Sequence, residues 1–466
     1  MTLSIVQWLG FGAACLIIFS AIFYTLFHQK KQTMEGMSLA GRSSSAILVA
    51  GTLAGTIVGG SATMGTAQLA YSSGFSAAWL AVGGSIGLLL LGYVYARPLR
   101  QSGLHTISEF IVYHYGPAAG FVASLVSVSG IFFSLVASGL SGIHFIQLLF
   151  SCSVLTAAAI LMLIVLVYVL FGGLKGTSIS SLIRNALLYL VLIVTGIIAA
   201  SQLLSFYPSL WAVAVNPQWH PDGAHLPGIL ENIFSVVIGI TVTQSYVQAV
   251  YSGKNTQEAA RGCYIAACIV LPLSLPLVLT GIAMHHTHPD MAAVLTLPQF
   301  FIEYLPHWFG GIGLGTLFLT IIGSISGLSL GAATSLTVDI FQDLLRIKNP
   351  KALLYILRAC LCFCTMAAFS LSIAYYDSQI LTWNFLSFSL RGSGVFLLLL
   401  LAVLNKKDAT PRQASFTITA STVLACLALT YPLGNLTPLN TGIGASLCFL
   451  LAAWVWNHFR HNNRLH

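Results

Sequence analysis

The residues best placed to do chemistry in this sequence are polar groups inside apolar segments. Arg391 lies near the middle of an apolar stretch, residues 379–404. A charged side chain at that depth in a membrane is energetically costly, so its presence indicates a structural or functional role. Guanidinium binds a carboxylate through paired hydrogen bonds. Three roles are open for Arg391: bonding backbone carbonyls of broken helices, pairing with an anionic substrate group, or gating.

A second polar segment, GTLAGTIVGGSATMGTAQLAY (51–71), is rich in glycine. Each glycine costs a helix about 1 kcal/mol relative to alanine. Its glycines follow no single period, and Gly59-Gly60 forms a local weak point. Close helix packing is one explanation. The other is a broken helix whose carbonyls face an ion, as in transporters. The pattern favours the broken helix.

Two later segments combine glycines with hydroxyl groups. In 308–338, Gly323, Gly327 and Gly331 repeat every four residues, which indicates close packing. Thr316, Thr320 and Ser324 repeat in the same way on another face. In VVIGITVTQSYVQ (236–248), polar side chains including Gln244 flank a second candidate break. Gln244 either makes an interhelical hydrogen bond or contacts a substrate.

Acidic residues are absent from the middle of every candidate span. All eleven lie in loops or near span ends. Proton-driven carriers usually need an ionisable relay within the membrane, whereas a sodium site needs only oxygen dipoles. The distribution favours sodium over protons. No HExxH motif is present, and no carboxylate lies near the middle of a span, so we expect no enzyme and no catalytic residues.

These residues must be positioned by membrane helices. Of the 466 residues, 57% are hydrophobic and only 6% are charged, against about 25% charged in soluble domains. Thirteen segments are long and apolar enough to span a bilayer. They are 5–27, 46–71, 75–97, 117–150, 153–172, 178–205, 228–250, 262–285, 308–338, 354–376, 379–404, 413–431 and 437–458. We expect the first to be a retained helix and not a signal peptide.

The net charge of +8 does not indicate nucleic-acid binding, because the basic residues are sorted by side. With the N-terminus outside, 18 of the 19 fall in inner loops and none in outer loops. This is the positive-inside pattern. It predicts a multi-pass protein of the plasma or inner membrane with a cytoplasmic C-terminus. The inner set includes Lys30, Lys31, Arg184, Lys406, Lys407 and Arg464.

Six motifs in a fixed order carry a family resemblance. They are MSLAGRSSSAILVAGTLAGTIVGG (37–60), AYSSGFSAAW (70–79), RPLRQSGLHTISEFIVYHYG (97–116), YVLFGGLKGTSISSLIRNA (168–186), QSYVQAVYSGKNTQEAARG (244–262) and TIIGSISGLSLGAATSLTVDIF (320–341). Over about 37–410 the chain resembles the sodium/solute symporters, carriers of proline, pantothenate, sialic acid and sugars.

The resemblance implies an all-α membrane protein with a LeuT-like core of two inverted five-helix repeats. These would be residues 46–205 and 228–404, after an extra helix and inner loop (1–45) and before two C-terminal helices and a tail (405–466). A sodium ion would bind between the first and eighth core helices. Its ligands would be main-chain carbonyls of Gly55, Val58 and Thr320 and the Ser324 hydroxyl. Gln68, Gln244 and Arg391 are the candidate substrate contacts.

Two departures from the family pattern concern the ion. Gly323 stands where the family often has a hydroxyl residue, and Ser180, Ser181 and Arg184 stand where it often has Thr, Asp and Gln. We therefore expect one coupling sodium and no second site. The expected function is sodium-coupled symport of a small organic solute, with a carboxylate or amino acid favoured. A proton-coupled carrier of the same fold, or a sensor domain acting with a partner, are the alternatives.

Overall fold

Helices make up all the regular structure of the residues described by the computed structural model, which are 3–27, 33–219, 226–405, 409–430 and 437–462. Only helices and closed barrels satisfy every backbone polar group in lipid, so the apolar segments fold as expected. The predicted all-α class is confirmed. Lys30, Lys31, Lys406, Lys407 and Arg464 of the predicted inner set lie outside the described residues.

Twenty α-helices follow one another in the described part of the chain. They are α1 (Ile5–Phe27), α2 (Met34–Leu39), α3 (Ala46–Ile57), α4 (Gly60–Ser73), α5 (Trp79–Leu90), α6 (Ala96–Ser102), α7 (Ile107–Tyr115), α8 (Pro117–Phe150), α9 (Val154–Phe206), α10 (Leu210–Ala214), α11 (Leu226–Thr241), α12 (Gln244–Ser252), α13 (Thr256–Val270), α14 (Ser274–Thr287), α15 (Thr296–Glu303), α16 (His307–Ser335), α17 (Pro350–Ala374), α18 (Ile380–Val403), α19 (Pro411–Thr430) and α20 (Pro438–Asn462). Wider π turns continue two of them, over Leu91–Tyr95 and Leu336–Leu344.

Judged by helix length and apolar composition, fewer described helices could cross a membrane than the thirteen predicted. Within the described ranges, eight helices are long and apolar enough to cross, or nine if the bent pair α11–α12 is one span. Breaks shorten several of the others. The predicted span 46–71 is divided between α3 and α4. The count of thirteen and the repeat boundaries at 46–205 and 228–404 stay predictions.

One assignment differs from the expected pattern, because α9 joins the two predicted spans 153–172 and 178–205 in one run of helical turns. A straight helix of 53 residues would be about 80 Å long, far more than a bilayer needs. The Tyr168 hydroxyl lies 2.5 Å from the Ser180 hydroxyl, although twelve residues of straight helix span about 18 Å. The helix therefore bends sharply between these two residues, near the predicted Gly-Gly-Leu-Lys turn.

The helix α16 lies at the centre of the bundle, and 94% of its most apolar 18-residue stretch is buried. It packs against α1, α3, α8, α9, α12 and α17. The end of α12 is tied to the start of α3 by a short parallel bridge. In it the Ser44 N–H donates to the Ser252 carbonyl at 3.0 Å and the Lys254 N–H to the Ser44 carbonyl at 2.8 Å. This arrangement places both broken helices beside the same central helix.

Candidate functional site

The first break opens between α3 and α4, at the predicted weak point. The Gly59 N–H turns away from the helix axis and donates to the Ile57 carbonyl at 2.9 Å. In a continuous helix this donor would bond the carbonyl four residues back, which is that of Gly55. Gly55 is buried, so water cannot take the place of the missing donor. The break leaves a carbonyl inside the protein that needs another partner.

That partner is the guanidinium of Arg184, on α9. Its Nη2 donates to the Gly55 carbonyl at 2.6 Å and to Ser181 Oγ at 3.1 Å. Its Nη1 donates to the Leu319 carbonyl on α16 at 3.3 Å. Arg184 is 0% exposed, and none of the ion pairs among the described residues involves it. Carbonyl and hydroxyl dipoles alone hold this buried positive charge.

Arg184 lies inside the helix bundle, and the prediction that it belongs to an inner loop is wrong. It fits there because Gly323 has no side chain. A Cβ at position 323 would lie 1.5 Å from Nη1 of Arg184 and 2.5 Å from Cζ, well inside van der Waals contact. Any residue larger than glycine at 323 is therefore incompatible with the guanidinium in this position.

The glycine stripe on α16 receives polar side chains along its whole length. Below Gly323, a Cβ at Gly327 would come within 2.6 Å of Thr56 Oγ1 from α3. A Cβ at Gly331 would come within 2.1 Å of Ser245 Oγ from α12. The stripe does allow close packing, as predicted. What it packs against is one arginine and two hydroxyl residues at the two helix breaks.

The predicted sodium ligands lie at this same junction of α3 and α16. Gly59 touches Ser324 so closely that a Cβ there would lie 2.2 Å from the serine Cβ. Ser324 Oγ donates to the Ile321 carbonyl at 3.0 Å. Val58 and Thr320 are fully buried beside them. The carbonyl of Gly55 is bonded to Arg184. The ligand set of Gly55, Val58, Thr320 and Ser324 stays a prediction.

The second break separates α11 from α12, where the chain bends by 49°. Arg391 from α18 reaches this break and is completely buried. Its Nη1 donates to Thr243 Oγ1 at 2.8 Å, and its Nη2 to Ser387 Oγ at 2.6 Å and to Ser134 Oγ at 3.4 Å. Its Nε donates to the Ser387 carbonyl at 3.1 Å. Three hydroxyl groups, from α8, from α18 and from the break, and only one carbonyl therefore satisfy this guanidinium.

A small cavity lies between the two breaks. Its volume is about 30 Å³, and its lining includes Thr56, Ser61, Ser134, Tyr246 and Phe388. A space of this size holds about two water molecules. Arg391 stands just behind its wall, with Ser134 as a hydrogen-bond partner and the Phe388 ring 5.5 Å from Cζ. The cavity is central, it is lined by hydroxyl groups among mostly apolar side chains, and it is too small for an organic solute in this state.

Gln68 and Gln244 lie away from this cavity. Gln68 lines a pocket of about 580 Å³ on the predicted outer side, together with His144 and Tyr376. Gln244 is fully buried and bonds the chain between α6 and α7. Its Nε2 donates to the His105 carbonyl at 2.9 Å, and its Oε1 accepts from the Ile107 N–H at 2.9 Å. The three predicted substrate contacts are thus not brought together in this structure.

On the predicted inner side, Asp339 forms a buried polar cluster that the motif alone did not indicate. Thr106 Oγ1 donates to Oδ1 and Ser124 Oγ to Oδ2, both at 2.6 Å. Asp339 also lines a pocket of about 640 Å³, with Arg346 and Lys348 at its rim. The sequence places Asp339 at the end of a motif but does not show which hydroxyls it meets.

The loop that carries Thr106 is capped by a second acid. Thr106 and Glu109 form a reciprocal capping box at the start of α7, and Glu109 Oε2 also accepts from the His105 N–H at 2.5 Å. Burial raises the pKa of the Glu109 carboxyl, but hydrogen bonds and charge from His105 and the Thr106 N–H outweigh it and lower the pKa overall. The charged form of Glu109 therefore stabilises this loop.

Comparison with known proteins found similar sequences over most of the chain. The model of the sodium:solute symporter family matches residues 38–411. The human high affinity choline transporter 1 is 23% identical over 335 residues, which cover 67% of this chain and 57% of its own length. The rabbit sodium/glucose cotransporter 1 is 21% identical over 390 residues, covering 73% of this chain and 58% of its own. The chain thus spans less than two thirds of the length of these relatives.

Among solved structures, a Na⁺-coupled sialic acid symporter in a substrate-bound outward-open state is similar throughout. The TM-score is 0.81 at 15% sequence identity, and the match covers 97% of both chains. At this identity the likeness shows the fold alone. It confirms the predicted LeuT-like class, in which broken helices meet at the middle of the bundle.

Proposed function

The chain belongs to the sodium:solute symporter family, and from this premise we propose that it carries a small organic solute across a membrane by alternating access, driven by sodium. The family and the Na⁺-coupled structural neighbour support sodium as the coupling ion. Both are transporters and not enzymes. Within the structure, the observation that carries the proposal is the pair of broken helices that meet at one small central cavity.

Broken helices next to a cavity are suited to transport for a physical reason. Unwound backbone exposes carbonyl and N–H groups that can bind ions and solutes, and membrane proteins tolerate it only where protein or water covers it. Here the cavity of about 30 Å³ lies between an outer pocket of about 580 Å³ and an inner one of about 640 Å³. A centre this small between two larger pockets supports an occluded state of an alternating-access cycle.

The solute class follows from Arg391. The names of the relatives refer to choline, glucose and sialic acid, which differ in charge, so relatives alone do not indicate the class. In this chain the guanidinium behind the cavity wall is bonded by neutral hydroxyls. A carboxylate that entered the cavity could replace Ser134 and form a stronger, charge-assisted pair. We therefore propose an anionic solute, a carboxylate or an amino acid.

The test of this role is a comparison of three proteins in liposomes. A thermal-shift screen of metabolites first identifies the solute, because ligand binding raises the melting temperature. We expect Arg391→Lys and Arg391→Gln both to lose at least about tenfold in apparent affinity for an anionic solute, which corresponds to about 1.4 kcal/mol. Arg97→Gln, an exposed arginine, is the matched control. Unchanged affinity in both Arg391 variants would make Arg391 a structural residue.

The other two predicted substrate contacts take different roles in the proposal. Gln68 would meet the solute in the outer pocket, before it reaches the cavity. Gln244 would act on the inner side, because it holds the segment before α7 closed through the His105 carbonyl and the Ile107 N–H. A Gln244→Leu variant should therefore change the rate of release more than the affinity. Full affinity and an unchanged rate would remove Gln244 from the pathway.

We place the N-terminus outside and the C-terminus in the cytoplasm of a cell whose plasma or inner membrane holds the protein. The reason is the absence of basic residues from the predicted outer loops.

A proton-coupled carrier is the second candidate, and Asp339 is the observation that favours it. A buried carboxylate that lines an inner pocket can take up and release a proton. Uptake driven by a pH gradient without sodium would establish that alternative.

A further inference from the structure

We propose that the Arg184 guanidinium is a built-in cation at the junction of α3 and α16. It bonds the Gly55 carbonyl, one of the four predicted sodium ligands, so that no sodium binds at the predicted position while the arginine is in place. The inference rests on the transport function proposed above, because the position matters only as the site of the expected coupling ion. In this proposal the cation at the junction is the guanidinium of Arg184 and not a sodium ion.

The oxygen atoms around the guanidinium are of the kind that a sodium site needs. They are the Gly55 carbonyl, which the break deprives of its helical donor, the Leu319 carbonyl and the Ser181 hydroxyl. A broken helix offers such carbonyls to an ion of charge +1. Guanidinium carries the same charge and presents N–H donors to the same oxygens. It therefore satisfies the broken helix without an ion.

Gly323 and Arg184 form one structural feature, although 138 residues separate them in the sequence. Both are departures from the family pattern, and each would be hard to explain alone. Glycine at 323 removes a side chain that would overlap Nη1 at 1.5 Å. It also removes the hydroxyl that the family often places next to Ser324. The substitution that makes room for the arginine is therefore the same one that takes a ligand away from sodium.

Electrostatics make the two cations mutually exclusive. A sodium ion bound to the Gly55 carbonyl would lie within a few ångströms of Nη2, which donates to that oxygen at 2.6 Å. Like charges at such a distance repel strongly in a medium of low dielectric constant. The described residues place no carboxylate in an ion pair with Arg184. Nothing there would offset the repulsion, so a sodium ion that drives transport uses other ligands.

The experiment measures sodium binding directly and needs no knowledge of the solute. Purified protein is titrated with radioactive sodium, and its melting temperature is compared in sodium chloride and choline chloride. In the wild type we expect no sodium-specific signal that depends on Ser324. In Arg184→Ala/Gly323→Ser, which removes the guanidinium and restores the hydroxyl, we expect saturable binding at least tenfold tighter than any wild-type binding at this position. Adding Ser324→Ala should abolish it.

The possible outcomes separate this inference from the proposed function. Wild-type sodium binding that Ser324→Ala abolishes would overturn the inference, and so would a folded double variant that binds no sodium. Wild-type binding that Ser324→Ala leaves unchanged supports both, because the ion then lies elsewhere. Solute uptake that does not depend on sodium would refute sodium coupling, and it would leave Arg184 as the built-in cation. If the double variant does not fold, the comparison of wild type with Ser324→Ala still decides.

Discussion

Replacing Gly323 with alanine should destabilise the protein by several kcal/mol, although alanine is the better helix former. The added Cβ would lie 1.5 Å from Nη1 of Arg184, whereas unbonded heavy atoms need about 3.5 Å. The guanidinium must therefore move by about 2 Å. That displacement breaks its bonds to the Gly55 and Leu319 carbonyls, which measure 2.6 and 3.3 Å.

The magnitude follows from those two bonds. A hydrogen bond to a charged group contributes about 1.5–3 kcal/mol, so the two together are worth about 3–6 kcal/mol. The higher helix propensity of alanine offsets about 1 kcal/mol of this loss. The net loss for Gly323→Ala is then about 2–5 kcal/mol. The readout is the apparent melting temperature of detergent-purified protein.

The decisive comparison is a double-mutant cycle, because contacting residues couple and distant ones add. Arg184→Ala alone should lower the melting temperature, yet it should raise that of Gly323→Ala by removing the overlap. Gly331→Ala is the matched control on the same stripe. Its Cβ would meet the Ser245 hydroxyl at 2.1 Å, and Arg184→Ala should not rescue it. If Arg184→Ala lowers Gly323→Ala as much as it lowers the wild type, the packing of guanidinium on Gly323 is refuted.

Two further predictions concern the second break and the inner loop. Thr243→Val keeps the side-chain shape but removes the acceptor of Arg391 Nη1, bonded at 2.8 Å, and should cost about 1.5–3 kcal/mol. Thr195→Val, which removes a hydroxyl that bonds only its own helix, should cost less; equal losses would contradict the role of Thr243. Since the pKa of Glu109 is lowered in the folded state, its stabilising effect is present above about pH 5 and is lost as the pH falls through the folded-state pKa. Glu109→Gln should make the melting temperature depend less on pH in that range. The control Glu35→Gln, which changes an exposed residue, should leave the slope of the wild type. A Glu109→Gln curve parallel to that of the wild type would refute this prediction.

The sequence by itself was enough for the features that depend on neighbouring residues. Low charge and long apolar runs determine membrane helices, because every buried backbone group must bond within its own segment. The Gly59-Gly60 pair marks the place where α3 ends and α4 begins, since glycine weakens a helix locally. The order of six motifs was enough to predict the family that the match over residues 38–411 confirms.

Only the tertiary structure decided which groups meet across the bundle. Periodicity along one helix says which residues share a face, but it does not say what approaches that face. Arg184 looked like one more inner-loop cation, and Gly323 like part of a packing stripe. Their contact, at an oxygen freed by the break, joins three segments that are distant in sequence. Hydrogen bonds and charge act through space, so the partner of a buried cation is a property of the assembled helices and not of any one segment.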